Sequence, residues 1–178
     1  MKKIYLVRHA KSSWKDSSLS DLQRPLNKRG LKNAPEMGQR LSKTNSDIDL
    51  IISSPAVRAM TTATIIADAM DYDSRIITQD DRLYFEGLSS MMDIIKKTKA
   101  QYRSLMMVGH NPDMTSLLNK LCGYQTVNMP TCSIACIQFD DEWSGISDNS
   151  GVLQNYDYPK STPIKLTQRI LSISLLRH

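Results

Sequence analysis

Apolar residues in this chain come in short runs, never more than four in succession, separated by longer stretches in which apolar residues recur at helical spacing. That alternation constrains the fold more than any other feature. Lys3 to Val7 (KIYLV) is β-rich and ends abruptly in polar residues, as a buried strand of a parallel sheet does. Ala10 to Asn27 is rich in Ser, Asp and Lys and reads as a loop. Leu31, Ala34, Met37, Gly38 and Leu41 follow at helical spacing, and Pro35 predicts that the regular helix begins near it. Asp49 to Ile52 is a second strand. Ser53-Ser54-Pro55 after it is a helix-start signal for a helix over Ala56 to Met70.

The cycle then repeats: an extended stretch around Arg75 to Leu83, a helix over Leu88 to Thr98, a strand over Ser104 to Val108, and a helix through Met114, Leu117, Leu118 and Leu121. Ser133 to Phe139 and Val152 to Tyr156 read as two later strands. Such a series implies an α/β domain whose mostly parallel sheet is covered on both faces. No internal repeat or linker interrupts it. One domain over 1–160 is expected, followed by a tail or short helix over 161–178.

Composition narrows the functional classes. With 40% apolar and 23% charged residues in 178, the chain can build a substantial core, which excludes disorder. The apolar runs are too short for a membrane span or a secretory h-region, so a cytoplasmic location is expected. Cys122, Cys132 and Cys136 form no CxxC pair and lie far from the histidines in sequence, which fits buried thiols better than a metal site. Residues 1–45 carry eleven basic and three acidic side chains, an excess that could serve nucleic acid, membrane or a small anion. Trp14 and Tyr5 do not form an aromatic series among the cations, so nucleic acid is disfavoured.

Ligands of such sheets bind beyond the carboxyl ends of the strands. There the sequence places Arg8-His9 after the first strand, Ser53-Ser54-Pro55 with Arg58 after the second, and Gly109-His110-Asn111 after the strand at Ser104 to Val108. Singly, each has an ordinary reading: a histidine after a strand is usually satisfied or exposed, and an arginine on a first helical turn is usually solvated. Arg58 also opposes the helix dipole. Jointly, two His and two Arg at one sheet edge call for an anion between them. A phosphoryl group fits, because guanidinium forks match its oxygens and a neutral imidazole is a competent nucleophile at phosphorus.

These residues resemble the signatures of the histidine phosphatase superfamily. YLVRHAKSSW, with Arg8 and His9, is similar to its N-terminal Arg-His motif, and Ser53-Ser54-Pro55 with Arg58, Ala59, Thr62 and Ala63 is similar to its second segment. Val108-Gly109-His110-Asn111 resembles its second histidine motif. RHAKSSW, DLQRPLNKRG over Asp21 to Gly30, GHNPDM and PTCSIACIQF bring the likeness closest to SixA-type phosphohistidine phosphatases.

The resemblance implies a three-layer α/β/α sandwich of phosphoglycerate mutase-like fold and catalysis with no cofactor or metal. It implies His9 as the nucleophile, with Arg8, Arg58 and His110 holding the phosphoryl oxygens and Ser12 adding a contact. Asn111 stands where many relatives carry a carboxylic acid, leaving Glu86 as the candidate general acid, with a solvated loop carboxylate as its plain alternative. A missing acid handicaps alkoxide leaving groups by about 10²- to 10⁴-fold but matters less for imidazole, whose own pKa is about 6.5. The expected substrate is therefore a phosphohistidine on a protein, such as a phosphotransfer domain, met by a monomer. Small phosphate esters, a phosphomutase activity and a non-catalytic phosphate-binding module remain as alternatives.

Overall fold

The structure, a computed structural model, describes residues 1–44 and 46–161. Six strands form one sheet: β1 (Lys2–Arg8), β2 (Leu50–Ser53), β3 (Thr78–Gln79), β4 (Ser104–Gly109), β5 (Ile134–Phe139) and β6 (Val152–Asp157). Their order is β3-β2-β4-β1-β5-β6. The first four are parallel, and β5 runs antiparallel to both β1 and β6.

Four helices cover it: α1 (Lys28–Ser42), α2 (Val57–Ala69), α3 (Leu88–Lys96) and α4 (Asp113–Cys122). Strand alternation divides the core into two faces. Ile4 and Leu6 of β1, Leu105 and Met107 of β4 and Ala135 and Ile137 of β5 pack with α3 and α4 through Met91, Ile95, Leu117 and Leu118. Tyr5, Val7, Met106, Val108 and Ile134 point the other way, against Ala34, Met37, Ala59, Ala63 and Ile66 of α1 and α2. The α1–α2 contact is close: a Cβ on Gly38 would come within 2.7 Å of the Ala69 Cβ. The three layers expected from the sequence are present.

The helices change face where the chain reverses its direction across the sheet. From β1 the chain steps through α1 and α2 to β3 at the edge, then returns through α3 to β4, which pairs on one side with β2 and on the other with β1. Such a switch point opens a crevice at the carboxyl ends of the central strands.

Local details depart from the sequence expectations at four places. α1 does not begin near Pro35: it begins at Lys28, capped by Asn27, whose Oδ1 accepts from the Gly30 N–H at 2.9 Å, and Pro35 lies inside it. The carbonyl that Pro35 leaves without a helical partner is that of Leu31, an exposed residue, so water can satisfy it. α2 begins at Val57, one residue after the expected Ala56, which is its N-cap, without a side-chain cap. The expected loop from Ala10 to Asn27 contains a 3₁₀ turn over Asp21–Gln23 and a bridge pairing Ser12 with Leu26. Within the extended stretch at Arg75 to Leu83 only Thr78–Gln79 is strand. Most of the expected C-terminal tail, from residue 162 onward, lies outside the described residues. No helix among the described residues is long and apolar enough to cross a membrane.

Candidate active site

Sheet register brings the strand-end residues together. Arg8 pairs with Gly109 across β1 and β4, and Ser53 pairs with Val108 across β2 and β4, so the next residues in each strand, His9, Ser54 and His110, emerge side by side. The His9 N–H donates to the Gly109 carbonyl and the Ser54 N–H to the Val108 carbonyl, extending the ladder one step past the strands. The two imidazole centroids are 5.0 Å apart.

His9 is 9% exposed. Its Nδ1 lies 2.7 Å from the Ala10 carbonyl oxygen, which can only accept, so Nδ1 carries the proton and Nε2 keeps its lone pair. Burial, joined by the charges of Arg58, Arg8 and Arg24, pushes its pKa down to about 4 against the raising effect of that hydrogen bond. His110, 2% exposed, is pushed down to about 3 by burial and by His9 and Arg58. Both rings are neutral at pH 7. His110 Nε2 is 2.8 Å from Ser54 Oγ, and its Nδ1 is 3.3 Å from Arg58 Nη2.

Arg58 is 2% exposed, not the solvated residue of its ordinary reading. Its Nη1 donates to the Asp21 carbonyl at 2.5 Å and its Nη2 to Asp21 Oδ2 at 2.8 Å. Asp21 also accepts from Tyr84 Oη at 2.7 Å and from Arg24 Nη1 at 2.6 Å. Burial alone would raise the Asp21 carboxyl, but these bonds from Tyr84, Arg58 and Arg24 hold it well below the ordinary carboxylate range. The unfavourable place of Arg58 near the start of α2 is thus offset by a carboxylate from the chain itself.

Sequence reasoning missed Arg24. It is buried, its Nη2 donates to Ser12 Oγ at 2.5 Å, its Nε donates to the Ser13 carbonyl at 3.0 Å, and its guanidinium lies 3.2 Å from the Trp14 ring centroid. Ser12 is therefore tied to a third guanidinium. Arg8 Nη1 donates to the Met129 carbonyl at 2.5 Å and to Asn128 Oδ1 at 3.2 Å, while its Nε is buried without a partner among the described residues. Burial lowers the Arg8 pKa, yet a guanidinium stays charged at any physiological pH.

Three guanidiniums against one carboxylate leave an excess of two positive charges around a neutral imidazole nucleophile. A phosphoryl dianion matches that excess. Phe85 lies against His110 with centroids 4.8 Å apart, and Tyr84 meets the same ring edge-on at 5.4 Å. Glu86, next in the chain, is exposed and accepts from Ser90 Oγ at 3.3 Å. Also missed were Asp21, Tyr84 and Phe85. Asp21 and Arg24 lay in the quoted DLQRPLNKRG segment, and adjacent aromatics before Gly87 were the visible sign of the other loop.

Comparison with known proteins accords with this arrangement. Residues 4–84 match the histidine phosphatase superfamily (branch 1). An uncharacterised chloroplastic protein of Arabidopsis thaliana is 30% identical over 153 residues, covering 80% of this chain and 69% of that protein. Phosphoserine phosphatase 1 of Hydrogenobacter thermophilus is 36% identical over 137 residues, covering 70% of this chain and 63% of that one. The crystal structure of SixA from Agrobacterium tumefaciens, described as a phosphohistidine phosphatase, superposes with a TM-score of 0.75 at 25% identity, covering 89% of this chain and 98% of that one.

Proposed function

The chain is a phosphatase belonging to the histidine phosphatase superfamily, SixA-like in fold, and from that premise we propose that it hydrolyses phosphohistidine on a protein without a metal. The observation that carries the reading is the free Nε2 of a neutral His9 among Arg8, Arg24 and Arg58. Nε2 attacks phosphorus, an N–P bond forms to His9, and the bond from phosphorus to the departing imidazole breaks. The departing imidazole keeps the electron pair and takes a proton from solvent, which its pKa of about 6.5 permits near neutral pH. Water then attacks phospho-His9, a P–O bond forms, the N–P bond returns its electrons to Nε2, and orthophosphate leaves. Arg8, Arg24, Arg58 and His110, with Ser12 beside Arg24, hold the oxygens through both steps.

An imidazole leaving group suits this site because Asn111 cannot release a proton and Glu86 is an exposed loop carboxylate. The likeness to SixA supports the same substrate class. A monomer working in the cytoplasm on a phosphotransfer domain, with no nucleic acid or membrane partner, completes the proposal. A second reading, a phosphatase of small esters, is favoured by the identity to phosphoserine phosphatase 1 and by the place of Glu86 beside Phe85.

Turnover of a histidine-phosphorylated phosphotransfer domain against phosphoserine and sugar phosphates, with and without EDTA, decides between them. We expect higher kcat/KM on phosphohistidine, indifference to EDTA, and little effect of Glu86→Gln on that substrate. Higher kcat/KM on esters, with a large Glu86→Gln loss confined to them, would establish the second reading instead.

A further inference from the structure

The clamp on Arg8 has a second hand. The two oxygens that accept from Arg8 Nη1 are also bound by Asn111, the residue after His110. Asn111 Nδ2 donates to Asn128 Oδ1 at 2.7 Å and to the Met129 carbonyl at 3.1 Å. Its own Oδ1 accepts from Thr115 Oγ1 at 2.9 Å, on the first turn of α4, and that hydroxyl accepts from the Met129 N–H at 2.9 Å. Every polar atom of the Asn111 side chain is engaged. The start of the segment it grips is held by Asn119, which bonds both backbone groups of Thr126; beyond that Asn128 is exposed and Val127 is 99% exposed, while Met129 is buried.

We propose that Asn111 is a positioning residue for phosphoryl binding, acting through Asn128 and Met129 to hold the Arg8 guanidinium while its Nε remains free for an oxygen of the bound group. The proposal rests on the phosphatase reading of the pocket. The chemistry requires an amide at this position. An aspartate would set a carboxylate oxygen against the Asn128 and Met129 oxygens, acceptor facing acceptor, and would draw Arg8 toward itself. An alanine would leave the two oxygens gathered by Arg8 alone.

Calorimetric titration of the full chain with tungstate, an oxyanion that needs no turnover, tests the proposal. Asn111→Ala and Asn128→Ala should each weaken binding about tenfold, the scale of one charge-assisted hydrogen bond, and the double variant should lose little more than either. In an Arg8→Ala background, titrated to saturation, Asn111→Ala should change affinity by less than about twofold. Asn111→Asp should weaken binding at least as much as Asn111→Ala. Unchanged affinity in Asn111→Ala, or an equal loss with and without Arg8, overturns the proposal. If Asn111→Ala does not fold, the exposed Asn128→Ala carries the same comparison, and an effect independent of Arg8 overturns the proposal there too. Failure of the wild-type protein to bind tungstate would instead remove the phosphatase reading of the pocket.

Discussion

The His9 Nδ1 and the Ala10 carbonyl oxygen, 2.7 Å apart, form a hydrogen bond between neighbouring residues that fixes one tautomer of the buried imidazole. The bond leaves Nε2 unprotonated and aims the reactivity of His9 away from its own backbone. His9→Ala should therefore abolish turnover, and acid-quenching must be avoided when trapping the intermediate, because a phosphoramidate is acid-labile and base-stable. Wild-type enzyme denatured in alkali during turnover should carry one phosphoryl group on His9; turnover by His9→Ala at the wild-type rate rules out the mechanism.

Acid should act on the fold as well as on the nucleophile. His9 and His110 titrate at about 4 and about 3 in the folded protein against about 6.5 unfolded. Below 6.5 the unfolded chain binds more protons, so stability falls as pH drops from about 6.5 toward 3 and is unaffected by these two groups above that range. Asp21, whose pKa is depressed, loses its contribution only below about pH 4, where an unfolded aspartate protonates. Urea unfolding at stepped pH should show this loss, and His110→Ala should flatten it. NMR titration of the imidazole nitrogens should find both rings neutral at pH 6, with His9 protonated on Nδ1.

Asp21 holds two arginines and Tyr84 from a single carboxylate. Asp21→Ala frees buried Arg58 from its counter-charge. Because the Asp21 side chain is 43% exposed, the cost should be about 1–2 kcal/mol rather than that of a fully buried pair. A drop in kcat/KM of at least about tenfold should accompany it as the guanidiniums lose their arrangement. Chemical denaturation and steady-state kinetics measure both; full activity in Asp21→Ala would show that the arginines need no such anchor.

Arg58 sets which proton His110 carries, and Ser54 accommodates it. With Arg58 donating to Nδ1, the Nε2–H donates to Ser54 Oγ. A hydroxyl can reverse that sense, which would allow Nδ1 to donate to a phosphoryl oxygen once Arg58 turns to the substrate. Ser54→Ala removes the choice and should lower kcat by about tenfold, with a smaller change for Ser54→Thr. Equal kcat in Ser54→Ala and wild type would assign the hydroxyl a purely structural part.

The sequence was most informative where chemistry and backbone periodicity coincide. Arg8-His9, Ser53-Ser54 and Gly109-His110 follow strands that local alternation identifies, so their convergence could be read from topology. Arg24 and Asp21 could not be placed that way. They sit in a polar loop without periodicity, and Asp21 meets Arg58 across 37 positions of sequence. The start of α1 was missed because Pro35 outweighed Asn27 in the reading, although a solvent-facing carbonyl makes an internal proline tolerable. At Pro55 the start signal was off by a single residue, the hydroxyl before it meeting both His110 Nε2 and the Ala56 N–H.

The Arg8–Gly109 register has a consequence for how such a protein can change. The distance between the two imidazoles is set by main-chain hydrogen bonds, which no side-chain substitution on the surface alters. Trp14, Leu22, Phe85 and Val127 stand exposed on segments outside the sheet. A lineage can therefore rewrite what approaches the pocket, residue by residue, while the reacting pair stays in place.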